Sequence, residues 1–344
     1  MIKPLQILYL AAGGPSSSSM AKARALHRLG HEVTVVNLHE CHPRNIWMRR
    51  LDNVTGYRLR QRQVTDFIAS RIGASRFDVV WVDSGNMVGP KVLKLLRHHG
   101  DRLINYNHDD PTGVRDGNVW ESFKRAVPGY DLMVTVRKET EQELKALGAR
   151  RVLRVWRSYD EIEHRPRELS TDDHARWDSQ VVFAGTWMPE RGALMADLIR
   201  RGLPLAIYGD FWHKAPEWPI IQANWRGPAI YGDDYAKAIQ CSKIAIGLLS
   251  KGNRDLHTQR SAEIPAMGGL LCAERTEEHL RLYEEPKEAV FWSSADECLS
   301  NCKALLENSR ERDEIKARGL NKVRDMKLGH ESVMASILQQ SRPM

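Results

Sequence analysis

Ile7-Leu8-Tyr9-Leu10-Ala11-Ala12, then Gly13-Gly14-Pro15-Ser16-Ser17-Ser18-Ser19, then Met20 through Leu29, then Gly30-His31-Glu32-Val33-Thr34-Val35-Val36 settle the architecture between them. Six consecutive apolar residues suit a strand buried on both faces. Gly13-Gly14-Pro15 turns the chain, Ser16 to Ser19 offer helix N-caps, and apolar positions at helical spacing run from Met20 to Leu29 before Gly30 stops the helix. The β-branched run after His31 is a second strand. Strand, helix and strand at this spacing form a right-handed parallel crossover, the unit from which doubly wound α/β domains are built.

The alternation continues outward from that unit. Phe77–Val82, Arg102–Tyr106 and Asp131–Val136 read as strands, with a helix over Pro90–His98. Between Trp156 and Trp177 the sequence turns polar and irregular, which places a linker near 165–178. The pattern then restarts with a strand over Gln180–Gly185, a helix over Gly192–Arg201, and strands over Leu205–Asp210, Lys243–Leu249, Gly268–Cys272 and Ala289–Trp292. A chain of 344 residues suits about two domains. The expectation is therefore two Rossmann-like doubly wound α/β domains facing a cleft: residues 1–168, residues 169–310, and a helical segment 311–344 packing back on the first domain. Ligands of such domains sit at the carboxyl ends of the strands.

Composition narrows the function. No stretch approaches the roughly 18 apolar residues of a membrane span, and the N-terminal apolar run leads into a turn and a polar helix start, unlike a signal peptide. Five scattered cysteines, Cys41, Cys241, Cys272, Cys298 and Cys302, follow the cytosolic pattern and not that of a disulfide framework. Lys and Arg exceed Asp and Glu by seven, which favours an anionic partner. Arg44, Arg49, Arg50, Arg58, Arg60 and Arg62 crowd one segment with Trp47, Met48 and Leu51 between them. That segment is either an anionic-membrane surface, which would put a cytoplasmic protein at the inner face of the membrane, or a solvated helix edge. No recognition-helix or RNA-binding pattern accompanies the charge, so nucleic acid is not the expected partner.

Neither G-x-G-x-x-G nor G-x-x-x-x-G-K-[ST] occurs. Gly13 and Gly14 either let a ligand approach a helix N-terminus or form a tight turn only. In Asn105-Tyr106-Asn107-His108-Asp109-Asp110-Pro111, a strand-end segment, His108 or Asp109 is placed to orient or deprotonate a hydroxyl. The densest polar signal is Lys251-Gly252-Asn253-Arg254-Asp255-Leu256-His257-Thr258-Gln259-Arg260-Ser261-Ala262-Glu263. Cations beside carboxylates suit a ligand that carries both phosphates and sugar diols, although a surface helix with ion pairs would read the same way. If helical, the segment puts His257 and Arg260 on one side. Trp212, Trp218 and Trp225 cluster beyond Gly209-Asp210, where one ring could stack on a base or sugar; Tyr235 reads as structural. The acidic pairs 109–110, 172–173 and 233–234 do not specify a metal site, and Cys298 with Cys302 reads as structural.

Glu263-Ile264-Pro265-Ala266-Met267-Gly268-Gly269, with Asp255 eight positions before Glu263, resembles the E-x7-E motif and turn of group 1 glycosyltransferases of the GT-B fold, in particular the CgeB-like (spore maturation protein) branch. Gly30-His31-Glu32-Val33, Phe183-Ala184-Gly185-Thr186-Trp187 with Glu190-Arg191-Gly192, and Leu205–Asp210 with Tyr208 resemble further pieces of that pattern in the same order. The first carboxylate is Asp here instead of Glu. The resemblance implies transfer of a sugar from a nucleoside-diphosphate donor, UDP favoured, to a carbohydrate, lipid-linked or protein acceptor, with retention of configuration and without a metal or other cofactor. It implies that Glu263 holds the ribose, Arg191 and Arg260 the diphosphate beside Gly185 and Tyr208, and Asp255 with His257 the transferring sugar. A sugar-nucleotide epimerase or a phosphorylase on the same fold are alternatives, as is a basic nucleic-acid binder.

Overall fold

In the computed structural model, which describes residues 3–342, the opening segment folds as β1 (Gln6–Ala11), α1 (Ser18–Arg28) and β2 (Glu32–Asn37). Strands β1 and β2 run parallel, with Gln6 opposite Glu32 and Ala11 opposite Asn37. Ser17 is the cap of α1, its hydroxyl accepting from the Met20 N–H at 3.3 Å. The chain goes on through α2 (Ile46–Thr55), α3 (Gln61–Ile72), β3 (Phe77–Asp83), α4 (Pro90–His99), β4 (Gly100–Asn107), α5 (Glu121–Ala126), β5 (Leu132–Thr135), α6 (Lys138–Ala146) and β6 (Val152–Arg154). These six strands form one parallel sheet in the order β2-β1-β3-β4-β5-β6, so the order reverses between β1 and β3.

A second parallel sheet is built from α7 (Thr171–Trp177), β7 (Ser179–Ala184), α8 (Pro189–Arg200), β8 (Leu205–Tyr208), α9 (Trp218–Ile221), β9 (Trp225–Gly227), α10 (Gly232–Gln240), β10 (Ser242–Gly247), α11 (Gln259–Ala266), β11 (Leu271–Glu274), α12 (Glu277–Leu282), β12 (Val290–Trp292), α13 (Ala295–Glu307) and α14 (Ser309–Asp325). Its order is β12-β11-β10-β7-β8-β9, the nucleotide-binding Rossmann order, and it reverses between β7 and β10. The strand expected from Gly268 begins only at Leu271. Gly268, at φ +77°, and Gly269 instead close α11, donating to the carbonyls of Pro265 and Ile264.

The contacts divide the chain into Met1–Trp156 with Gly252–Arg254 and His330–Met344, and Arg157–Lys251 with Asp255–Gly329. The segment expected to be helical carries α14, which belongs with the second unit, and α15 (His330–Gln340), which belongs with the first. Helix α15 buries Val333, Met334, Ile337 and Leu338 in the layer that holds Ile7, Tyr9, Leu26 and Trp81, and Arg28 on α1 pairs with Glu331 at 2.5 Å. The opposite face of the first sheet is covered by Val64, Ile68, Leu96 and Phe123. The second unit buries Val181, Phe183, Ile207, Trp212, Ile244 and Ile246.

Candidate active site

An open α/β sheet makes its crevice where the strand order reverses, beyond the carboxyl ends of the two strands concerned. In the second unit these are β7 and β10, and the residues that follow them are Gly185 and Leu248–Ser250. Arg191, in the first turn of α8, donates to the Thr186 carbonyl at 2.8 Å and the Leu249 carbonyl at 3.4 Å, so it spans the reversal. Arg260, in the first turn of α11, donates from Nε to the Ala184 carbonyl at 3.2 Å. The two guanidiniums therefore flank Gly185. No side chain larger than hydrogen fits there: a Cβ on Gly185 would stand 2.8 Å from the Phe183 ring, and one on Gly209 (φ +151°) would collide with the Gly185 carbonyl. Trp212 Nε1 holds that carbonyl at 3.0 Å, the Tyr208 carbonyl accepts from the Gly185 N–H at 2.9 Å, and Trp225 Nε1 donates to the Gly209 carbonyl at 3.0 Å. Two of the three clustered tryptophans thus brace backbone turns, and Trp218 packs edge-on against Trp225 at 5.8 Å.

Glu263, 3 % exposed, lies one helical turn beyond Arg260 and is paired with it. The Tyr235 hydroxyl donates to Glu263 at 3.3 Å, and the Tyr235 ring lies 4.6 Å from the Arg260 guanidinium, so this tyrosine belongs to the cluster rather than to packing alone. His164, from the irregular stretch before α7, completes it. Its Nδ1 accepts from the Asp160 N–H at 3.0 Å, which leaves the proton on Nε2, 3.6 Å from Glu263. Nothing in the sequence around His164 marks it, since the stretch reads as a linker.

Asp255 and His257 are brought together, but within the protein. Both precede α11, whose N-cap is Thr258, so His257 does not share a helix face with Arg260. Asp255 accepts from Arg157 at 2.9 Å. The His257 ring uses both nitrogens: Nε2 accepts from the Arg157 N–H at 3.1 Å and Nδ1 lies 2.5 Å from Glu278. Burial pushes the imidazole below its usual pKa against the opposing pull of Glu278, which keeps it neutral with its proton on Nδ1. Arg157, Asp255, His257 and Glu278 are all less than one-tenth exposed and tie the loop before α11 to the start of the unit and to α12.

In the first unit the order reverses between β1 and β3, and the Gly13-Gly14 turn follows β1 there. Its Gly13 carbonyl accepts from Asn37 at 2.7 Å and its Gly14 carbonyl caps the next turn at Ser17. Beneath lies an ion pair the sequence did not announce. Lys22, a polar residue on the α1 face that the helical period assigns to the core, sits with Nζ 3.1 Å from both oxygens of Asp83, the last residue of β3. Tyr9 donates to the same carboxylate at 2.9 Å. Burial would raise the Asp83 pKa, but Lys22 and the Ser19 hydroxyl outweigh it and hold the carboxyl below its usual range. His108 Nδ1 is 3.3 Å from Lys22 Nζ; since an ammonium can only donate, the imidazole proton is on Nε2. Asp109 accepts from Ser84 at 3.3 Å, and Arg137 clamps the carbonyls of His108 and Asp109 at 3.0 and 2.6 Å.

A cavity of about 610 Å³ opens beside the ends of β8 and β9, lined by Trp177, Tyr208, Tyr231, Arg176, Arg226 and the Gly227–Ile230 loop among others. Two groups with metal-ligand spacing occur among the described residues, Cys272 with Cys298 and Cys302 in the core, and His174 with Asp178 and Cys241; neither includes a candidate site residue.

Residues 191–338 match the family model described as glycosyl transferase-like. A search of curated proteins finds no significant match. Among solved structures the chain is similar to HepE of Anabaena in complex with UDP-glucose, at TM-score 0.70 and 11 % identity over 98 % of this chain and 100 % of that one. It is similar to sucrose-phosphate synthase of Thermosynechococcus elongatus at TM-score 0.69 and 9 % identity over 97 % and 98 %. A glycosyltransferase of Rickettsia africae gives TM-score 0.63 and 11 % identity over 98 % of each chain. Two parallel six-stranded sheets in these orders, together with these likenesses, give the chain the GT-B fold.

Proposed function

We propose that the protein is a glycosyltransferase that moves a sugar from a nucleoside-diphosphate donor to an acceptor hydroxyl. The observation that carries this is the convergence of Arg191, Arg260 and Glu263 on the β7–β10 reversal, inside the segment that matches the glycosyl transferase-like family. Two guanidiniums on either side of Gly185 suit a diphosphate, whose charge grows as the sugar departs. Glu263, released from Arg260 by the incoming phosphates, is a bidentate acceptor for a ribose diol. The aromatic walls of Trp177, Tyr208 and Tyr231 with the cations Arg176 and Arg226 suit an adjoining base. UDP is the first nucleotide to test, because HepE is seen with UDP-glucose.

We read His108 as an Nε2–H donor to an acceptor oxygen rather than as a base, which supports retention by front-face substitution, where the leaving phosphate takes the acceptor proton. The Arg157, Asp255, His257 and Glu278 network shapes the loop before α11. The cations supply the charge stabilisation that a metal would otherwise provide, so the reaction is metal-independent. The resemblance of the turn Glu263–Gly269 supports the CgeB-like branch as the one to test first, and five free cysteines suit the cytoplasm. The test is a thermal-shift screen of UDP, ADP, GDP and TDP, then mass spectrometry of donor consumption with and without chelator. Stabilisation by one nucleotide that Glu263→Ala removes supports the reading; no shift with any of them overturns it.

A further inference from the structure

Helix α2 is inside out. An amphipathic helix on a globular domain turns its apolar stripe to the core, yet the buried member of α2 is Asp52, 3 % exposed, which pairs with Arg60 at 3.6 Å. The outward side carries Ile46, Trp47, Leu51 and Val54, between 51 % and 69 % exposed, with Leu59 at 68 % just beyond. At 100° per residue Trp47, Leu51 and Val54 lie within about 60° of one another, opposite Asp52. The helix is firmly ended all the same: Asn45 caps its first turn at 2.8 Å, and Gly56 ends it in the left-handed conformation, packed against Asn118 and Glu121. The apolar stripe is a displayed surface and not a frayed segment.

Cations border the stripe. Arg44, Arg49, Arg50 and Arg58 are exposed, Arg50 stacks on Trp47 at 4.9 Å, and residues 44–62 contain a single acid, the Asp52 already taken by Arg60. We infer that α2 with the turn to Leu59 docks the protein on an anionic lipid bilayer, Trp47, Leu51, Val54 and Leu59 entering the headgroup–acyl boundary while the arginines meet lipid phosphates. Aliphatic and indole side chains at one level, ringed by guanidiniums with no exposed acid among them, are what that interface binds. A second copy of this surface could offer the arginines no acid in return, because its one acid, Asp52, is buried against Arg60. The surface would bring the enzyme to a lipid-borne acceptor or product, but its existence does not depend on the donor chemistry.

The test is sedimentation of the full-length protein with phosphatidylcholine vesicles and with vesicles containing phosphatidylglycerol, at low and high salt. Binding is expected only to the anionic vesicles and weakens with salt. Arg49→Glu with Arg50→Glu lowers the partition by at least about 25-fold, at about fivefold per arginine near such a surface, and Trp47→Ser with Leu51→Ser abolishes it. Both double variants keep the wild-type melting temperature and nucleotide response, because none of the four side chains is buried. Failure to bind anionic vesicles at low salt, or binding indifferent to both double variants, overturns the inference. So does a concentration-dependent dimer that the Trp47 and Leu51 changes dissolve, since the patch would then face a second copy.

Discussion

Replacing Lys22 by Met leaves the Asp83 carboxylate fully buried with the hydroxyls of Tyr9 and Ser19 beside it. Lys22 and Asp83 side chains are 3 % and 0 % exposed and Nζ contacts both oxygens, so solvent cannot replace the lost partner. Removing one member of a buried pair costs about 3–5 kcal/mol, which for a unit of this size lowers its melting temperature by roughly 6–20 °C. The sign of the pH dependence separates this account from simple loss of packing. In the wild type the Asp83 pKa is depressed, so its contribution is present above the usual carboxylate range and is lost as pH falls through the folded value. In Lys22→Met the same pKa is raised by uncompensated burial, so the deficit is full near neutrality. It shrinks by about 1.4 kcal/mol for each pH unit of descent from the raised folded pKa toward the unfolded one. Urea unfolding with hydrogen exchange read at β1 and β3 measures both. Lys22→Met with Asp83→Asn recovers most of the loss. A Lys22→Met deficit below about 1 kcal/mol, or one that stays constant from pH 7 down into the usual carboxylate range, refutes the argument.

Nitrogen-15 NMR of the imidazoles finds His108 as the Nε2–H tautomer in the wild type, with that preference gone in Lys22→Met; a mixed tautomer in the wild type would remove His108 as a fixed donor. Gly209→Ala drives a methyl into the Gly185 carbonyl, costs about 1–3 kcal/mol, and weakens nucleotide binding; unchanged stability and affinity would mean the two turns are not packed as described. His257→Ala takes a buried hydrogen-bond donor from Glu278 and lowers the stability of the second unit by about 1–3 kcal/mol, a loss that chemical denaturation reads and that would be absent if the ring served only a ligand. Glu263→Gln keeps the fold, since the amide oxygen can still face Arg260, but lowers nucleotide affinity at least about tenfold, the loss of one charge-assisted pair, as isothermal titration would show.

Much of the fold was legible because buried parallel strands are written as unbroken apolar runs: Ile7–Ala11, Val79–Val82 and Ile244–Ile246 carry no competing signal. The short edge strands β6 and β9 are three residues each and half-exposed, so neither periodicity nor apolar density marks them. Strand β11 was misplaced because Gly268-Gly269 belongs to the helix before it, where a left-handed residue is needed, and a run of letters does not say which neighbour a glycine serves. The sequence marked the segment around Glu263 as polar where an α/β domain should have its crevice, but not how those polar groups are paired.

That last distinction is where chemistry and architecture use the same letters. Asp255, His257, Arg260 and Glu263 are spaced within nine residues, and all four suit a phosphosugar. In the fold, Asp255 and His257 each meet Arg157, the first residue of the second unit, and His257 spends its remaining nitrogen on Glu278. Arg260 is 35 % exposed at the side chain and meets only a carbonyl, an aromatic face and Glu263 in the contacts described above. An exposed guanidinium can turn toward a phosphate while Glu263 keeps the Tyr235 hydroxyl and His164 beside it and takes a ligand hydroxyl in exchange, whereas drawing Asp255 outward would take a carboxylate from Arg157 at 8 % exposure. The electrostatic cost of rearrangement therefore divides the motif: its C-terminal half is able to exchange partners with a ligand, and its N-terminal half holds the loop that presents it.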